Sequence, residues 1–317
     1  MMGVFKKLIV AFLMVPTYIG LNYGMQNNYV NINAPKPVVT NEPAVYLGGE
    51  AISINMDASG VIITKDKGIV SAGDILYKIN DQAVSNRTQL DSIKQTINVS
   101  DISITYLHNN EIITTTISSE DLKNIEGINK LVGNATITYI NPSNFKYAAV
   151  GHSIIENVNI KNNHIGTINH NYINSIIKSE GNTVGKFITT RKNEIGTIDT
   201  INETGLYGTY TSKKLPTLIN VGRSKVGKAY IVTTLDTNQK AYYEINITNI
   251  INRDAMQIEF KIKDQNLINK TNGILKGMSG SPIVQDGRLV GAVSHAVNGV
   301  NDAGYGLLID KMLVNTN

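Results

Sequence analysis

The chain has 317 residues, of which 42% are hydrophobic and 17% charged, a composition typical of a folded globular protein that excludes a largely disordered one. The 29 lysines and arginines exceed the 25 acidic residues by only four, and no basic stripe or nucleic-acid motif is present, so we expect no nucleic-acid partner. The absence of cysteine excludes thiol catalysis, disulfides and thiolate metal sites, and the histidines form no metal-binding motif, so we expect no metal.

The N-terminus predicts export. Lys6 and Lys7 precede about fourteen apolar residues, LIVAFLMVPTYIGL, which are too few for a membrane span of roughly 20 residues and fit the apolar core of a secretory signal. No clean small-x-small cleavage site follows them. We interpret residues 1–24 as a signal peptide or an uncleaved signal anchor, and the polar, asparagine-rich residues 25–43 as a linker or processing segment.

Residues 44–125 show a defined order of elements. A glycine pair leads an alternating strand and a VIIT run, and SAGDILYKINDQAV then predicts a turn, a strand and a second tight turn. Apolar residues at Leu90, Ile93 and Ile97 predict a helix face, and SDISITYLHNNEIITTTI predicts a hairpin.

This order resembles a PDZ domain, and the SAGDILYKINDQAV segment resembles the matching stretch of bacterial PDZ domains attached to proteases. Unhindered N–H groups at Gly48 and Gly49 could bind the C-terminal carboxylate of a peptide, and the strand from Ile52 could pair with that peptide. The alternative is an ordinary glycine turn before a strand. We expect a PDZ domain that binds peptide C-termini at these residues.

Residues 126–317 predict an all-β domain. Short alternating runs such as ATITYI, KAYIVTTL and MQIEFKI recur between turn signals, and amphipathic helices are almost missing from the pattern. The overall fold class is therefore mainly β, with a β-barrel or sandwich after the PDZ-like region.

The turn Gly277-Met278-Ser279-Gly280-Ser281-Pro282 is the strongest chemical signal in the chain. It has the layout of the nucleophile turn of chymotrypsin-like enzymes, in which a serine attacks and two backbone N–H groups stabilise the oxyanion. In that interpretation Ser279 is the nucleophile, and the N–H groups of Gly277 and Ser279 form the oxyanion hole. The alternative is a plain glycine and serine turn between strands.

The strands after this turn fit the same interpretation. Asp286-Gly287 predicts a tight hairpin turn. The second strand of that hairpin ends near Ser294 and His295, where we expect the substrate backbone to be held. Met278 stands where the best-known enzymes carry an acid that takes no part in the chemistry.

A histidine is needed to deprotonate the serine, and His152 is the best candidate. It follows an apolar strand and a glycine in YAAVGHS, which resembles the histidine segment of the first barrel in such enzymes. His295 is the main rival. The aspartates between His152 and Ser279 are Asp199, Asp236, Asp254 and Asp264, and spacing alone does not choose between them, although the common layout favours Asp199.

GHSI, GTIDTINETGLYGTY, GYGLLID and above all GMSGSPIVQDGRLVGAVSH together resemble the stage IV sporulation protein B family of endospore-forming bacteria. These are PDZ-containing serine peptidases with a chymotrypsin-like double β-barrel. The resemblance implies a catalytic triad of His152, Asp264 and Ser279, because the family's aspartate lies fifteen residues before its serine. It leaves Asp199 as the second choice, and it implies no cofactor.

The resemblance further implies an exported, membrane-associated endopeptidase in the space between forespore and mother cell. Members of the family cleave their own N-terminal segment and then a membrane-anchored regulator, which activates intramembrane processing of a late mother-cell sigma factor. The alternative is a catalytically silent PDZ scaffold that binds membrane partners. Retention of histidine, aspartate and serine at the family positions favours the enzyme.

Overall fold

A computed structural model describes residues 43–109, 111–150, 166–251, 256–297 and 299–316. The fold is mainly β, as predicted. The first strands in chain order are β1 (Ala44–Leu47), β2 (Ala51–Ile63), β3 (Ile75–Ile79), β4 (Gln82–Ala83), β5 (Asp101–His108), β6 (Glu111–Ser118), β7 (Gly127–Ile140), β8 (Lys146–Ala149), β9 (Gly166–Ile177) and β10 (Lys186–Ile198). The later strands are β11 (Thr200–Asn202), β12 (Gly205–Thr209), β13 (Leu218–Asn220), β14 (Gly227–Thr234), β15 (Lys240–Ile251), β16 (Gln257–Ile262), β17 (Pro282–Gln285), β18 (Arg288–Val297) and β19 (Val300–Leu308). The helices are α1 (Arg87–Thr96), α2 (Ser119–Asn124), α3 (Gln265–Thr271) and α4 (Ile309–Leu313).

The C-terminal part of the chain closes into a barrel of β14, β15, β16, β19, β18 and β17, in that order. Alternate residues of these strands point inward and pack an aliphatic and aromatic core that includes Ile231, Ile245 and Phe260. Asp286 and Gly287 join β17 to β18 with φ values of 50° and 73°, the left-handed pair that a tight two-residue hairpin requires, which confirms the predicted turn.

The second β unit is an open sheet, a half-barrel, that packs beside the closed barrel. Its strands run in the order β11, β12, β8, β7, β2, with β9 on the far edge of β2 and β10 beyond it. Its core contains Ile52, Ile54, Tyr147 and Ile198, all buried. Barrel and half-barrel together form the double-barrel architecture that the sequence resemblance implied.

A small domain is built from the second half of β2, strands β3 to β6, helices α1 and α2, and the start of β7. Its own core includes Leu76, Leu90, Ile93 and Ile104. Leu90 and Ile93 are the buried residues of α1, which confirms the predicted helix face. Strands β5 and β6 pair along their whole length, which confirms the predicted hairpin.

Strands β2 and β7 belong to both the half-barrel and the small domain. They pair from Ala51 with Thr136 to Asp57 with Lys130 in the half-barrel, and again at Ile63 with Gly127 in the small domain. The expected division into residues 44–125 and 126–317 therefore needs correction, because residues 44–56 form strands of the half-barrel sheet. The small domain is an insertion between two paired strands, with no linker on either side.

The expected peptide-binding role of Gly48, Gly49 and Ile52 also needs correction. The N–H groups of Gly48 and Gly49 donate to the carbonyls of Thr138 and Ile137 at 3.0 and 2.7 Å, so they are not available to a peptide carboxylate. A Cβ at Gly48 would lie 2.0 Å from the Ile137 oxygen, so this glycine serves a close approach of two backbones. Ile52 pairs with β7 on one side and β9 on the other, which leaves no free edge for a peptide strand.

Candidate active site

The turn that carries Ser279 lies between α3 and β17 of the closed barrel, and it contacts strand β7 of the half-barrel. Gly277 and Gly280 have φ values of 106° and 92°, a conformation that side chains rarely adopt, which explains both glycines. Among the described residues, the N–H groups of Gly277 and Ser279 donate no hydrogen bond, whereas those of Met278 and Gly280 donate to Leu275 and Val293. The two free N–H groups are the pair expected to form an oxyanion hole.

Met278 has a structural role. Its side chain is fully buried in the core of the closed barrel, and its sulfur accepts a hydrogen bond from the Leu275 N–H at 3.4 Å. The position that carries an acid in the best-known enzymes is therefore filled here by an apolar side chain that anchors the turn from inside the barrel.

Two buried threonines of β7, Thr136 and Thr138, bind the turn from the half-barrel side. Thr136 Oγ1 donates to the Gly277 carbonyl at 2.8 Å, and the Thr136 N–H donates to the Ser279 carbonyl at 2.9 Å. Thr138 Oγ1 donates to the Gly280 carbonyl at 2.7 Å. Because these three bonds fix the carbonyls around Ser279, they also fix where the neighbouring N–H groups point.

Thr136 and Thr138 were missed in the sequence interpretation. The signal that could have found them is the alternation in ATITYI, where two hydroxyls fall on one face of an otherwise apolar strand. Buried hydroxyls need partners, so such a pair indicates a polar backbone segment packed against that face.

Ser279 and the predicted substrate strand lie together. Ser279 is half-buried, and its Oγ donates to the Ser294 carbonyl at 2.7 Å. Ser294 Oγ lies 2.9 Å from His295 Nδ1, and the His295 ring packs against Tyr305 with ring centres 4.9 Å apart. The carbonyl of Ser294 therefore faces the hydroxyl of Ser279, and the role of this strand in holding a substrate backbone stays a prediction.

His152 lies outside the described residues, but the strand that leads to it is described. Strand β8 ends beside the nucleophile turn: the Val150 nitrogen is 2.8 Å from the position that a Cβ on Gly280 would occupy. Val150 is only two residues before His152. The role of His152 stays a prediction. The strand that precedes it ends beside the turn that carries Ser279.

The two candidate acids have different surroundings. Asp264 begins α3, and its Oδ1 accepts the Leu267 N–H at 3.0 Å. Burial raises the pKa of Tyr243 on β15, and the nearby carboxylates of Asp236 and Asp264 raise it further. Within the described residues, no hydrogen bond joins Asp264 to Ser279.

Asp199 lies on the half-barrel side. Its carboxylate accepts hydrogen bonds from the hydroxyls of Thr197 and Thr209 at 2.9 and 3.2 Å. Burial raises the pKa of Tyr147, and the charge of Asp199 raises it further, so the acid lies close to β8, the strand that precedes His152. Asp254 lies outside the described residues, and Asp236 pairs with Lys270 at 2.8 Å.

The described part of the chain contains no group of three or more histidine, cysteine or acidic side chains that could hold a metal ion. No helix in that part is both long enough and apolar enough to span a membrane. The predicted signal or anchor segment, residues 1–24, and all of the 25–43 segment except Pro43 lie outside the described residues.

Comparison with known proteins identifies the family. Residues 128–313 match the family described as SpoIVB peptidase S55, which is more than half of the chain. No curated protein matches. Among solved structures, the chain is similar to Rv3671c from M. tuberculosis H37Rv, in the inactive form of a serine-to-alanine mutant, with 13% identity, a TM-score of 0.33, and coverage of 59% of this chain and 82% of the other. The chain belongs to the SpoIVB peptidase S55 family and is a serine peptidase of the SpoIVB type.

Proposed function

We propose that the protein is an exported serine endopeptidase of sporulation that cleaves its own N-terminal segment and then a membrane-anchored regulator. The second cut would release an intramembrane protease that matures a late mother-cell sigma factor. The enzyme would act in the space between forespore and mother cell. The observation that carries the proposal is the Ser279 turn of a chain of this family, where two N–H groups without a partner among the described residues flank a half-buried serine hydroxyl.

The proposed reaction begins when His152 accepts the proton of Ser279 Oγ and that oxygen attacks the scissile carbonyl carbon. The hydroxyl must first leave the Ser294 carbonyl, to which it donates in this structure. The negative oxygen of the intermediate would accept hydrogen bonds from the N–H groups of Gly277 and Ser279. His152 would then donate its proton to the leaving amine, and water would hydrolyse the acyl-enzyme by the same steps.

An acid must hold the imidazole in the tautomer that accepts the serine proton. We assign this role to Asp264, with Asp199 as the alternative. Asp264 begins α3 at the end of β16, in the closed barrel that also carries Ser279. Asp199 instead shares the half-barrel with the strand that precedes His152.

The test uses the chain without residues 1–24, as wild type, Ser279→Ala and Ser281→Ala. Ser281 is a matched control, because it lies two positions further along the same turn and its buried hydroxyl has no hydrogen-bond partner in the part of the chain that the structure describes. We expect a fluorophosphonate probe to label the wild type and Ser281→Ala but not Ser279→Ala, and intact-mass spectrometry to show self-cleavage with the same pattern. If the wild type is neither labelled nor cleaved, the scaffold alternative replaces the enzyme.

A further inference from the structure

The start of strand β10 lies against the segment that leads into the Ser279 turn. A parallel bridge joins Lys186 to Lys276, and in it the Lys276 N–H donates to the Gly185 carbonyl at 2.8 Å. On the other side of the same bridge, the Phe187 N–H faces the Lys276 carbonyl. Strand β10 pairs with β9 along its opposite edge, so this edge is the one that contacts the turn.

This pairing orients the peptide group that links Lys276 to Gly277. In a trans peptide the C=O of one residue and the N–H of the next point in opposite directions. Because the Lys276 carbonyl faces β10, the Gly277 N–H points away from β10. That N–H is one of the two that we assign to the oxyanion hole, so its direction depends on a strand of the half-barrel.

The side chain of Phe187 contacts the same glycine. It is 3% exposed and packs in the same core as Met278, and its Cδ2 and Cε2 atoms lie 2.7 and 3.3 Å from the position that a Cβ on Gly277 would occupy. Glycine passes between positive and negative φ at little cost, so Gly277, with a φ of 106°, does not fix its own peptide groups. The buried ring beside it restricts their rotation.

The β9–β10 hairpin is bound to the closed barrel at two further places. Asn238, in the turn between β14 and β15, accepts the Ile173 N–H at 2.6 Å and donates to the Ile173 carbonyl at 3.0 Å. Near the tip of the hairpin, the Ser179 N–H donates to the Thr271 carbonyl at 3.0 Å, and Asn272 Nδ2 donates to the Ser179 carbonyl at 2.8 Å. These bonds hold the hairpin in place on the barrel that carries the turn.

We propose that strand β10 positions the oxyanion hole and that Phe187 is the positioning residue. This proposal rests on the proposed function, in which the Gly277 N–H stabilises the oxyanion. With β10 in place, the Lys276–Gly277 peptide keeps its N–H toward the substrate. Without the ring, the peptide can rotate and present its carbonyl oxygen there, which repels the oxyanion and slows the reaction without weakening substrate binding elsewhere.

The test compares the full chain as wild type, Phe187→Leu and Ile245→Val. Leucine keeps the site apolar but removes the ring, and Ile245→Val is the matched control, because it removes one methylene from a buried residue of the same core on β15. The readout is labelling by a fluorophosphonate, whose phosphonyl oxygen takes the place of the oxyanion. We expect Phe187→Leu to lower the maximal rate of labelling at least about tenfold, with no change in the probe concentration that gives half of that rate, and Ile245→Val to change neither.

The possible results separate this proposal from the proposed function. If the wild type is not labelled, the proposed function fails. If the wild type is labelled and Phe187→Leu reaches the same maximal rate, the positioning role of Phe187 fails alone. An equal loss in Ile245→Val would show that the effect comes from any defect in this core, and it would also overturn the proposal.

A disulfide provides a rescue experiment, because the chain has no cysteine of its own. Paired residues of neighbouring strands lie about 5 Å apart, within the range that a disulfide spans, and the side chains of Lys186 and Lys276 are exposed. Lys186→Cys and Lys276→Cys are introduced together, with and without Phe187→Leu. We expect oxidation to bring the labelling rate of the chain with Phe187→Leu to within about twofold of the oxidised chain without it, and reduction to reverse the gain. A disulfide that does not form, or one that forms without restoring the rate, would overturn the proposal.

Discussion

Thr136 and Gly277 lie 141 positions apart in sequence, yet a single buried hydrogen bond of 2.8 Å joins the hydroxyl of one to the carbonyl of the other. The bond connects the half-barrel to the turn whose Gly277 and Ser279 N–H groups we propose as the oxyanion hole. The orientation of these N–H groups thus depends on both β units, so a substitution in either unit is expected to lower kcat.

We expect Thr136→Val to lower kcat at least about tenfold with little change in KM. Valine has the same shape but leaves the buried Gly277 carbonyl unpaired, which costs about 1–3 kcal/mol and frees the turn to rotate. Thr136→Ser restores the hydroxyl and should restore kcat. Equal kcat values for all three proteins, measured on one peptide substrate, would show that the threonine only fills space.

Asp264→Asn separates two roles of this residue. Asparagine caps a helix as well as aspartate does, so α3 should keep its start and the melting temperature should change little. If Asp264 holds the catalytic imidazole, loss of the charge should lower kcat by about 10⁴-fold. Asp199→Asn is the matched variant, and a larger loss of kcat there would transfer the assignment to Asp199.

Gly280→Ala should destabilise the fold by more than about 4 kcal/mol, because the new Cβ would lie 2.0 Å from the Thr136 carbonyl oxygen, a backbone atom. Gly68→Ala isolates the cost of the backbone conformation. Gly68 also has a positive φ, 58°, but has no atom within 4 Å of its Cβ position, so we expect a loss of only about 1–2 kcal/mol. Urea unfolding of the two variants gives the comparison, and similar losses would argue against the steric explanation.

Glu50, between β1 and β2, and Lys240 of the closed barrel form an ion pair, and removal of one partner should destabilise the fold. The two charges lie 2.9 Å apart with side chains only 23% and 10% exposed, and Lys240 also donates to the Leu47 carbonyl. Lys240→Met would leave Glu50 unpaired, so we expect a loss of about 3 kcal/mol in unfolding free energy. Adding Glu50→Gln should recover part of it; a double variant as unstable as the single one would mean that the lysine acts through packing alone.

The conformation of the turn around Ser279 could be predicted from sequence because its signals are local. Glycines at 277 and 280 and the Asp286-Gly287 hairpin each reflect a conformation set within a few residues. The helix face of Leu90 and Ile93 is local in the same way.

The glycine pair at 48 and 49 shows where prediction from the local sequence fails. Glycines before an alternating strand are compatible with a carboxylate-binding loop and with a close crossing over another strand. The choice depends on β7, almost ninety residues later. The domain boundary failed for a related reason, because an alternating strand does not reveal in its own sequence which sheet it joins. Thr136 and Thr138 were missed because their partners lie in another β unit.

The insertion of the small domain between Asp57 and Lys130 has a consequence for how such enzymes can be assembled. Paired residues of adjacent antiparallel strands have Cα atoms only about 5 Å apart, so residues 58–129 leave and re-enter the sheet at nearly one point. An Asn-Gly turn in their place would close β2 and β7 as a plain hairpin. A domain with adjacent ends could therefore be inserted, removed or exchanged at this point without moving the strands of the half-barrel.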